Sequence, residues 1–310
     1  MNYYLMFDVG GTKIKAGILT ETGELLNNQM NSFDSGANRA KDEIFKNFAD
    51  ISNILIDEIN DPLKQIAGIG MAFPGPFDYE NGISKMTGLN KYDAIYGLDF
   101  KKELMGILKN TKALKCFKPD LAFTFIHDVE AFAMGESHFG TALNCHRVMY
   151  LCIGTGAGSS FTESGRVLKK QSDNFPENGW IYKTPFKNSI IDDYISVRGL
   201  QTISKRFYSE PTEGIVLYER AIRKEEAALN TFREFGDNLA KAMIPYLKTF
   251  GPDCLVLGGQ ISKSFQFFGS QLEEFCQKYN ISVRLTEDTS MSILKGLYVQ
   301  MQSIKNAPGN

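Results

Sequence analysis

The first residues of the chain bring a carboxylate, two glycines, a hydroxyl and a positive charge into six positions. These are Asp8, Gly10, Gly11, Thr12 and Lys13, set between two apolar runs. Glycines allow positive φ and close approach of the backbone, so successive N–H groups can face an anion such as a phosphate. A carboxylate beside them could hold a metal that bridges phosphates. The alternative is an ordinary β-hairpin whose glycines serve only the turn, because short glycine motifs are weak evidence.

The same combination of strand, glycine turn and strand recurs near the middle of the chain. The apolar run 148–153 leads into Gly154, Thr155, Gly156 and Gly158, and a second apolar run follows. Two such units at the starts of two halves indicate a duplicated domain, with both hairpins facing one cleft. A ligand held by both hairpins would be a chain of phosphates.

A third glycine turn, Gly258 and Gly259, follows the strand-like segment 252–257. It could bring the backbone against a flat or bulky part of a ligand, such as a nucleoside. Alone, this pair is a weak signal.

Asp128 stands where an apolar strand, 121–126, changes into a helix. One role for it is capping, which aspartate fills well. The other is a carboxylate presented at the carboxyl end of the strand. The prolines around Gly75 end the strand 65–73 in a rigid loop, either a simple turn or part of a ligand site, since ligands of α/β sheets bind at such strand ends.

The elements that must position these residues alternate between strands and helices. The apolar spacing predicts three strands over 3–33, a helix over 40–60, strands at 65–73, 121–126, 148–153 and 283–285, and helices at 100–108, 213–249, 265–278 and from about 291. We therefore expect two α/β domains, each with a mixed sheet of roughly five strands flanked by helices.

Composition narrows the class of protein. Of 310 residues, 43% are hydrophobic and 23% are charged, and the net charge of −2 provides no field that would recruit nucleic acid. The apolar runs are shorter than a membrane span, and no secretion signal is visible. The five cysteines are scattered, which indicates reduced thiols in a cytoplasmic protein.

Five segments, in order and over nearly the whole chain, resemble the ROK family of sugar kinases, within the superfamily of hexokinase-like and actin-like ATPases. They are residues 7–13, 68–78, 127–136, 153–158 and 255–262. The resemblance implies a two-domain actin-like ATPase (ribonuclease H-like) fold with a cleft between the domains. It predicts an N-terminal α/β domain over 1–118, joined by a C-terminal helix over 291–310, and a C-terminal α/β domain over 119–290.

The resemblance also implies a reaction, transfer of the γ-phosphoryl group of ATP to a hexose hydroxyl, as in a glucokinase. Asp128 would be the general base and Asp8 would orient Mg²⁺. The phosphates would be bound by Gly10, Gly11, Thr12, Lys13, Gly154, Thr155, Gly156 and Gly158, and the nucleoside by Gly258 and Gly259. The sugar would be bound by Gly75, Asn90, His127, Asp128, Glu177 and Trp180.

Three departures from the family pattern concern the sugar pocket and zinc. The usual asparagine before the catalytic aspartate is His127, and the zinc-binding histidine of the E-x-G-H segment is Trp180. The cysteine-rich zinc loop is missing, so we predict no zinc site. Trp180 could stack on a sugar or, as we favour, fill the space that the zinc site leaves. His127 could bind sugar or serve only local packing, and Glu177 could be a surface carboxylate.

Other interpretations concern the substrate and the class of protein. The acceptor could be an N-acetylated amino sugar or a β-glucoside. A non-catalytic sugar-binding regulator is a second class, but the first phosphate motif begins within ten residues of the start and leaves no room for a DNA-binding segment. A sugar binder that has lost activity is a third, and the presence of Asp128 with both hairpins argues against it. We expect no nucleic-acid or membrane partner, and the family implies a possible homodimer.

Overall fold

A computed structural model describes residues 1–169 and 175–305 as two compact units. The first unit comprises Met1–Gly135 and the segment that begins at Ser290; the second comprises Glu136–Thr289. The predicted domain boundary at 118/119 lies inside the strand Phe117–His127, whereas the first unit continues to Gly135. Residues 306–310, which the predicted helix 291–310 included, lie outside the described residues.

The first unit is built on a five-stranded sheet, with a small two-stranded hairpin beside it. Its strands are β1 (Asn2–Val9), β2 (Lys13–Thr20), β3 (Leu25–Asp34), β4 (Gln65–Phe73), β5 (Phe77–Asp78), β6 (Ile83–Ser84) and β7 (Phe117–His127). In the order β3-β2-β1-β4-β7, the first three strands are antiparallel neighbours, and β1, β4 and β7 run parallel. The carboxyl ends of β1, β4 and β7 therefore meet at one edge of the sheet.

Helices α1 (Lys41–Glu58) and α2 (Phe100–Leu108) pack beside this sheet because each has one apolar face. In α1 the buried positions recur at helical spacing, as in Ile44, Phe48, Ile51 and Leu55. Asp99 caps α2, its side chain accepting a bond from the Lys102 amide at 3.0 Å. The Phe48 ring of α1 packs against Phe100 of α2 and against Tyr92 of the loop that precedes α2.

Helix α3 (Asp128–Phe139) begins directly at the end of β7. Within the first unit it packs very closely on the last helix, Thr289–Lys305. A Cβ atom at Gly135 would lie 1.8 Å from the carbonyl oxygen of Ser292, and one at Gly296 would lie 1.8 Å from that of Ala131. Only glycine fits at either position.

The second unit repeats the sheet plan of the first. Its strands are β8 (Arg147–Ile153), β9 (Ala157–Glu163), β10 (Arg166–Val167), β11 (Pro185–Phe186), β12 (Ser189–Ile190), β13 (Cys254–Gly258) and β14 (Ser282–Leu285). In the order β10-β9-β8-β13-β14, three antiparallel strands are again followed by two parallel ones, while β11 and β12 form a separate hairpin. The repeated topology supports the predicted duplication.

Short and long helices cover this second sheet. They are α4 (Ile191–Tyr194), α5 (Val197–Ser204), α6 (Gly214–Ile222), α7 (Glu226–Phe250), α8 (Phe265–Phe268) and α9 (Ser270–Lys278), and the helix Thr289–Lys305 follows as α10. The predicted helix 213–249 is two helices, and the predicted helix 265–278 is broken at Gly269, because these turns leave no gap in the apolar periodicity. No helix among the described residues is both long and apolar enough to span a membrane.

Candidate active site

The first glycine turn joins β1 to β2, and hydrogen bonds from neighbouring residues fix its backbone. The Gly10 amide donates to the Lys13 carbonyl at 2.9 Å, and a Cβ atom at Gly10 would lie 2.8 Å from that same oxygen. The Tyr92 hydroxyl donates to the Gly10 carbonyl at 3.1 Å, and the Ser35 hydroxyl donates to the Gly11 carbonyl at 2.7 Å. With these carbonyls and the Gly10 amide bound, the amides of Gly11 and Thr12 are the backbone donors of the turn left for an anion.

Asp8 lies two residues before this turn, half-buried in β1 and paired in register with Lys15 of β2. Mg²⁺ is commonly held by one or two carboxylates together with substrate phosphates and water. Among the described residues, no group of three or more histidine, cysteine or acidic side chains is placed to hold a metal. The role of Asp8 as a ligand of Mg²⁺ stays a prediction.

Asp128 is the first residue of α3 and lies at the same sheet edge as Asp8. Its Oδ1 accepts a hydrogen bond from the Val129 amide at 2.7 Å and lies 2.9 Å from Nδ1 of His127. No described residue donates to its Oδ2, and the side chain is 41% exposed. One carboxylate oxygen is thus anchored and the other is open to a substrate hydroxyl. The Val129 amide also donates to Nδ1 of His127 at 3.3 Å.

The pKa of Asp128 lies below the usual value of an aspartate. Partial burial raises it, but the His127 imidazole, the Val129 amide and the Lys91 ammonium together lower it by more. The carboxylate is therefore deprotonated at neutral pH, as a base must be.

The predicted sugar residues Gly75 and His127 lie together in the first unit. A Cβ atom at Gly75 would be 3.8 Å from Nε2 of His127, and the Tyr79 ring meets the imidazole edge-to-face at 5.9 Å. Asn90 is exposed, with φ of 54°, on the loop that precedes Tyr92. Its amide makes no hydrogen bond to the part of the chain that the structure describes.

Sequence reasoning missed Lys91. A Cβ atom at Gly11 would lie 3.3 Å from Cδ of Lys91, so this side chain passes over the first glycine turn. Its neighbour Tyr92 is fully buried against that turn. Nothing in the sequence pairs residues 11 and 91, because the contact depends on the fold of the intervening loop.

The second glycine turn joins β8 to β9 in the second unit. The Gly154 amide donates to the Gly156 carbonyl at 3.0 Å, and the Val197 amide donates to the Gly154 carbonyl at 2.9 Å. The start of α5 therefore packs directly against the turn.

Asp192 is the other fixed partner of this turn. Its Oδ1 accepts a bond from the Ala157 amide at 2.7 Å, and its Oδ2 is 2.5 Å from the Arg198 guanidinium. A Cβ atom at Gly156 would lie 2.7 Å from Oδ1, so Gly156 gives the carboxylate room. The partners of Asp192 therefore belong to the glycine turn and to α5.

The third glycine turn lies beside the second one. Gly258 pairs with Cys152 across β13 and β8, and Gly259 has φ of 87°. A Cβ atom at Gly259 would lie 2.3 Å from the Ile153 carbonyl oxygen. The two turns that were predicted to bind phosphates and nucleoside are therefore adjacent at one sheet edge.

Glu177 and Trp180 border a short 3₁₀ turn in the second unit. Its last residue, Gly179, has φ of 71° and accepts a hydrogen bond from the Ser159 hydroxyl at 2.6 Å. That hydroxyl accepts the Ile181 amide at 2.9 Å, which fixes the backbone on both sides of Trp180. Glu177 is exposed and Trp180 is half-buried.

Residues 4–295 match the sequence model of the ROK family. The chain belongs to the ROK family. This ROK protein is similar, at low identity, to relatives with named activities. A glucokinase of Thermotoga maritima is 23% identical over 86% of this chain and 84% of the relative, and an N-acetyl-D-glucosamine kinase of Photobacterium profundum is 25% identical over 90% and 91%. An uncharacterized protein of Clostridium perfringens is 26% identical over 100% and 95%.

Solved ROK structures share the fold. A ROK hexokinase from Thermus thermophilus matches with a TM-score of 0.75 at 18% identity, covering 98% of this chain and 100% of that one. A ROK family glucokinase from Streptomyces griseus, in complex with glucose and AMPPNP, matches at 0.71 and 15%, covering 97% and 99%. A ROK family transcriptional regulator, a homologue of the Escherichia coli MLC protein, matches at 0.77 and 15%, covering 98% and 80%. The predicted family and the actin-like ATPase fold are confirmed.

Proposed function

We propose that this ROK protein is an ATP-dependent sugar kinase that transfers the γ-phosphoryl group of ATP to a hydroxyl of a hexose. The observation that carries the proposal is Asp128, whose Oδ1 is anchored while its Oδ2 is open at the sheet edge that also holds the first glycine turn. A deprotonated carboxylate held in this way can accept the proton of a hydroxyl that attacks the γ-phosphorus. The kinase relatives agree with this reaction class.

The reaction asks for positioning and charge stabilisation more than for covalent chemistry. The sugar hydroxyl oxygen bonds to the γ-phosphorus while the bond from that phosphorus to the β,γ-bridging oxygen breaks, and ADP leaves with that electron pair. The hydroxyl proton passes to Oδ2 of Asp128 and later to water. Mg²⁺, held by Asp8 and the phosphates, would offset the charge of the triphosphate.

The glycine turns supply the nucleotide side in this proposal. Amides of the turns at 10–13 and 154–158 bind phosphates, and Gly258 and Gly259 border the nucleoside. Hydrogen bonds to Asp192 and from the Val197 amide fix the second turn, so the turn is ordered without bound nucleotide. A turn ordered in advance loses less entropy when it binds.

The acceptor sugar is proposed as a hexose such as glucose, with an N-acetylated amino sugar or a β-glucoside as the alternative. Gly75, Asn90, His127, Glu177 and Trp180 are proposed to line its site. Polar groups matched to hydroxyls give strong selectivity, so the departures at His127 and Trp180 should show in the substrate range. We place the reaction in the cytoplasm, since all five cysteines are unpaired thiols.

The test is ADP release from ATP and Mg²⁺ with glucose, mannose, N-acetylglucosamine, N-acetylmannosamine and a β-glucoside in turn. Asp128→Asn keeps the shape of the side chain and removes the base, so we expect kcat to fall about 10³-fold with sugar affinity changed less than about threefold. Asp120→Asn, an exposed carboxylate on the same strand β7, is the matched control and should keep wild-type turnover. An Asp128→Asn protein with more than half of the wild-type kcat would remove Asp128 from the mechanism.

A sugar-binding regulator is the second candidate, because the structural match to the ROK transcriptional regulator covers 98% of this chain. Thermal shift with the same sugars separates the two. A sugar that stabilises the protein but releases no ADP would favour the regulator.

A further inference from the structure

The loop at residues 90–92 is fixed to the first glycine turn by its last residue. Tyr92 is fully buried, its amide donates to the Ala37 carbonyl at 2.7 Å, and its hydroxyl donates to the Gly10 carbonyl at 3.1 Å. Tyr92 has φ of 57°, so the chain bends sharply there. The backbone of Lys91 is therefore held at a fixed place relative to the turn.

The Lys91 side chain lies beside the first glycine turn and acts electrostatically on Asp128. Its Cδ would be 3.3 Å from a Cβ atom at Gly11, and its ammonium is within electrostatic range of the Asp128 carboxylate. The side chain is half-buried. Among the described residues, no carboxylate forms an ion pair with this ammonium within 4.0 Å.

The charges at this sheet edge explain why a cation would be needed. Asp8 and Asp128 are both carboxylates, and a phosphoryl group that moves between the turn and Asp128 adds negative charge beside them. Charge that develops in a transition state is stabilised most effectively by groups that are already in place. Lys91 is such a group, because Tyr92 anchors its backbone and no acidic side chain of the described residues is paired with it.

We propose that Lys91 is a catalytic residue whose ammonium contacts the oxygens of the γ-phosphoryl group while it passes from ATP to the sugar hydroxyl. This inference rests on the proposed kinase function. Lys91 takes part in no bond change, since the proton goes to Asp128 and the electron pair leaves with ADP. Its contribution is to the transition state more than to the ground state, so its loss should lower kcat more than it raises KM.

The experiment compares Lys91→Met and Lys91→Gln, which remove the charge, with Lys91→Arg, which keeps it. Lys102→Met, an exposed lysine on α2, is the matched control. We expect kcat to fall about 10²-fold in both neutral variants with KM for ATP and sugar within about threefold, and Lys91→Arg to keep at least about a tenth of the wild-type kcat. The control should match the wild type.

A second readout does not depend on turnover. ADP with aluminium fluoride, in the presence of the accepted sugar, imitates the planar phosphoryl group in transfer. Loss of Lys91 should weaken binding of this mimic by about 30-fold or more and leave binding of ADP alone within about threefold.

Three outcomes would overturn the inference. The first is a neutral variant with kcat within about threefold of wild type. The second is a rise in the sugar KM with kcat unchanged, which would make Lys91 a sugar ligand. The third is a lowered melting temperature in both neutral variants, which would make its role structural. If wild type and Lys102→Met release no ADP with any sugar, the kinase proposal itself fails, and that result is distinct from these three.

Discussion

At the scale of single residues, the site depends on which oxygen of Asp128 is occupied. Its Oδ1 is held by the Val129 amide and by His127, where the family pattern has asparagine. The sequence located Asp128 at a strand-to-helix junction because the apolar pattern changes there from strand to helix. It left open whether His127 binds sugar or acts locally. In the structure Nδ1 of His127 lies 2.9 Å from Oδ1 of Asp128, and a contact of the imidazole with sugar stays a prediction.

His127→Ala tests this bond through pH. The imidazole lowers the pKa of Asp128, so its removal should raise that pKa. A base works only above its pKa, so the acid limb of kcat should move to higher pH in the variant. Turnover against pH from 4 to 8 measures this, with His146→Ala, an exposed histidine, as the control. An unmoved acid limb in the variant would show that His127 does not tune Asp128.

Lys91 shows what sequence reasoning could not reach at this scale. Its nearest partners are 80 or 37 positions away, at Gly11 and Asp128, and no local pattern links them. Asn90, next to it, is predicted as a sugar ligand from the family resemblance. The position of the Lys91 ammonium near the first glycine turn depends on the long-range bond from Tyr92 to Gly10.

At the scale of elements, most strands were predictable because their apolar runs are local and continuous. Strand β4, for example, is buried at every residue except Gln65, which is typical of a parallel strand covered on both faces. The turns that separate consecutive helices were harder to predict. The turns at 223–225 and at Gly269 keep the helical spacing of apolar residues and contain no proline, so the pattern gave no sign of them.

The bond from the Ala157 amide to Asp192 joins the second glycine turn to α4, and its contribution to nucleotide binding can be tested. Asp192→Ala should leave the Ala157 amide without its partner and loosen the turn, since an unsatisfied buried donor costs about 1–3 kcal/mol. We expect the Kd for ADP to rise about five- to tenfold, with sugar affinity unchanged, in a calorimetric titration.

Asp193→Ala is the matched control for this bond, because it removes an exposed carboxylate from the same helix, α4. The control should bind ADP as the wild type does. Equal loss in the two variants would mean that general charge, and not the bond to Ala157, sets ADP affinity.

At the scale of the whole molecule, the two units repeat one topology, and each has glycine turns at the carboxyl ends of its strands. The predicted division at 118/119 lies inside strand β7, after its first two residues. That strand pairs with β4 over most of its length, so it belongs to the first unit together with the beginning of α3. Long-range pairing decides unit membership, and composition does not show it.

Helix α10 packs closely on α3 in the first unit, and this packing depends on Gly135 and Gly296. Gly296→Ala should place a methyl group against the Ala131 carbonyl and lower stability by about 1–3 kcal/mol. Gly106→Ala on α2 is the opposite control, since its Cβ would meet nothing within 4 Å and alanine favours the helix. Melting temperatures should fall for the first variant and hold or rise for the second. A Gly296→Ala protein as stable as wild type would contradict the close packing of α3 and α10.

The position of Trp180 has a practical consequence. The chain contains one tryptophan, and it directly follows Gly179 in the turn proposed to bind sugar. All indole fluorescence of the protein therefore arises from a single loop. A change in emission on adding a sugar would report events at that loop, without any label and without interference from a second indole.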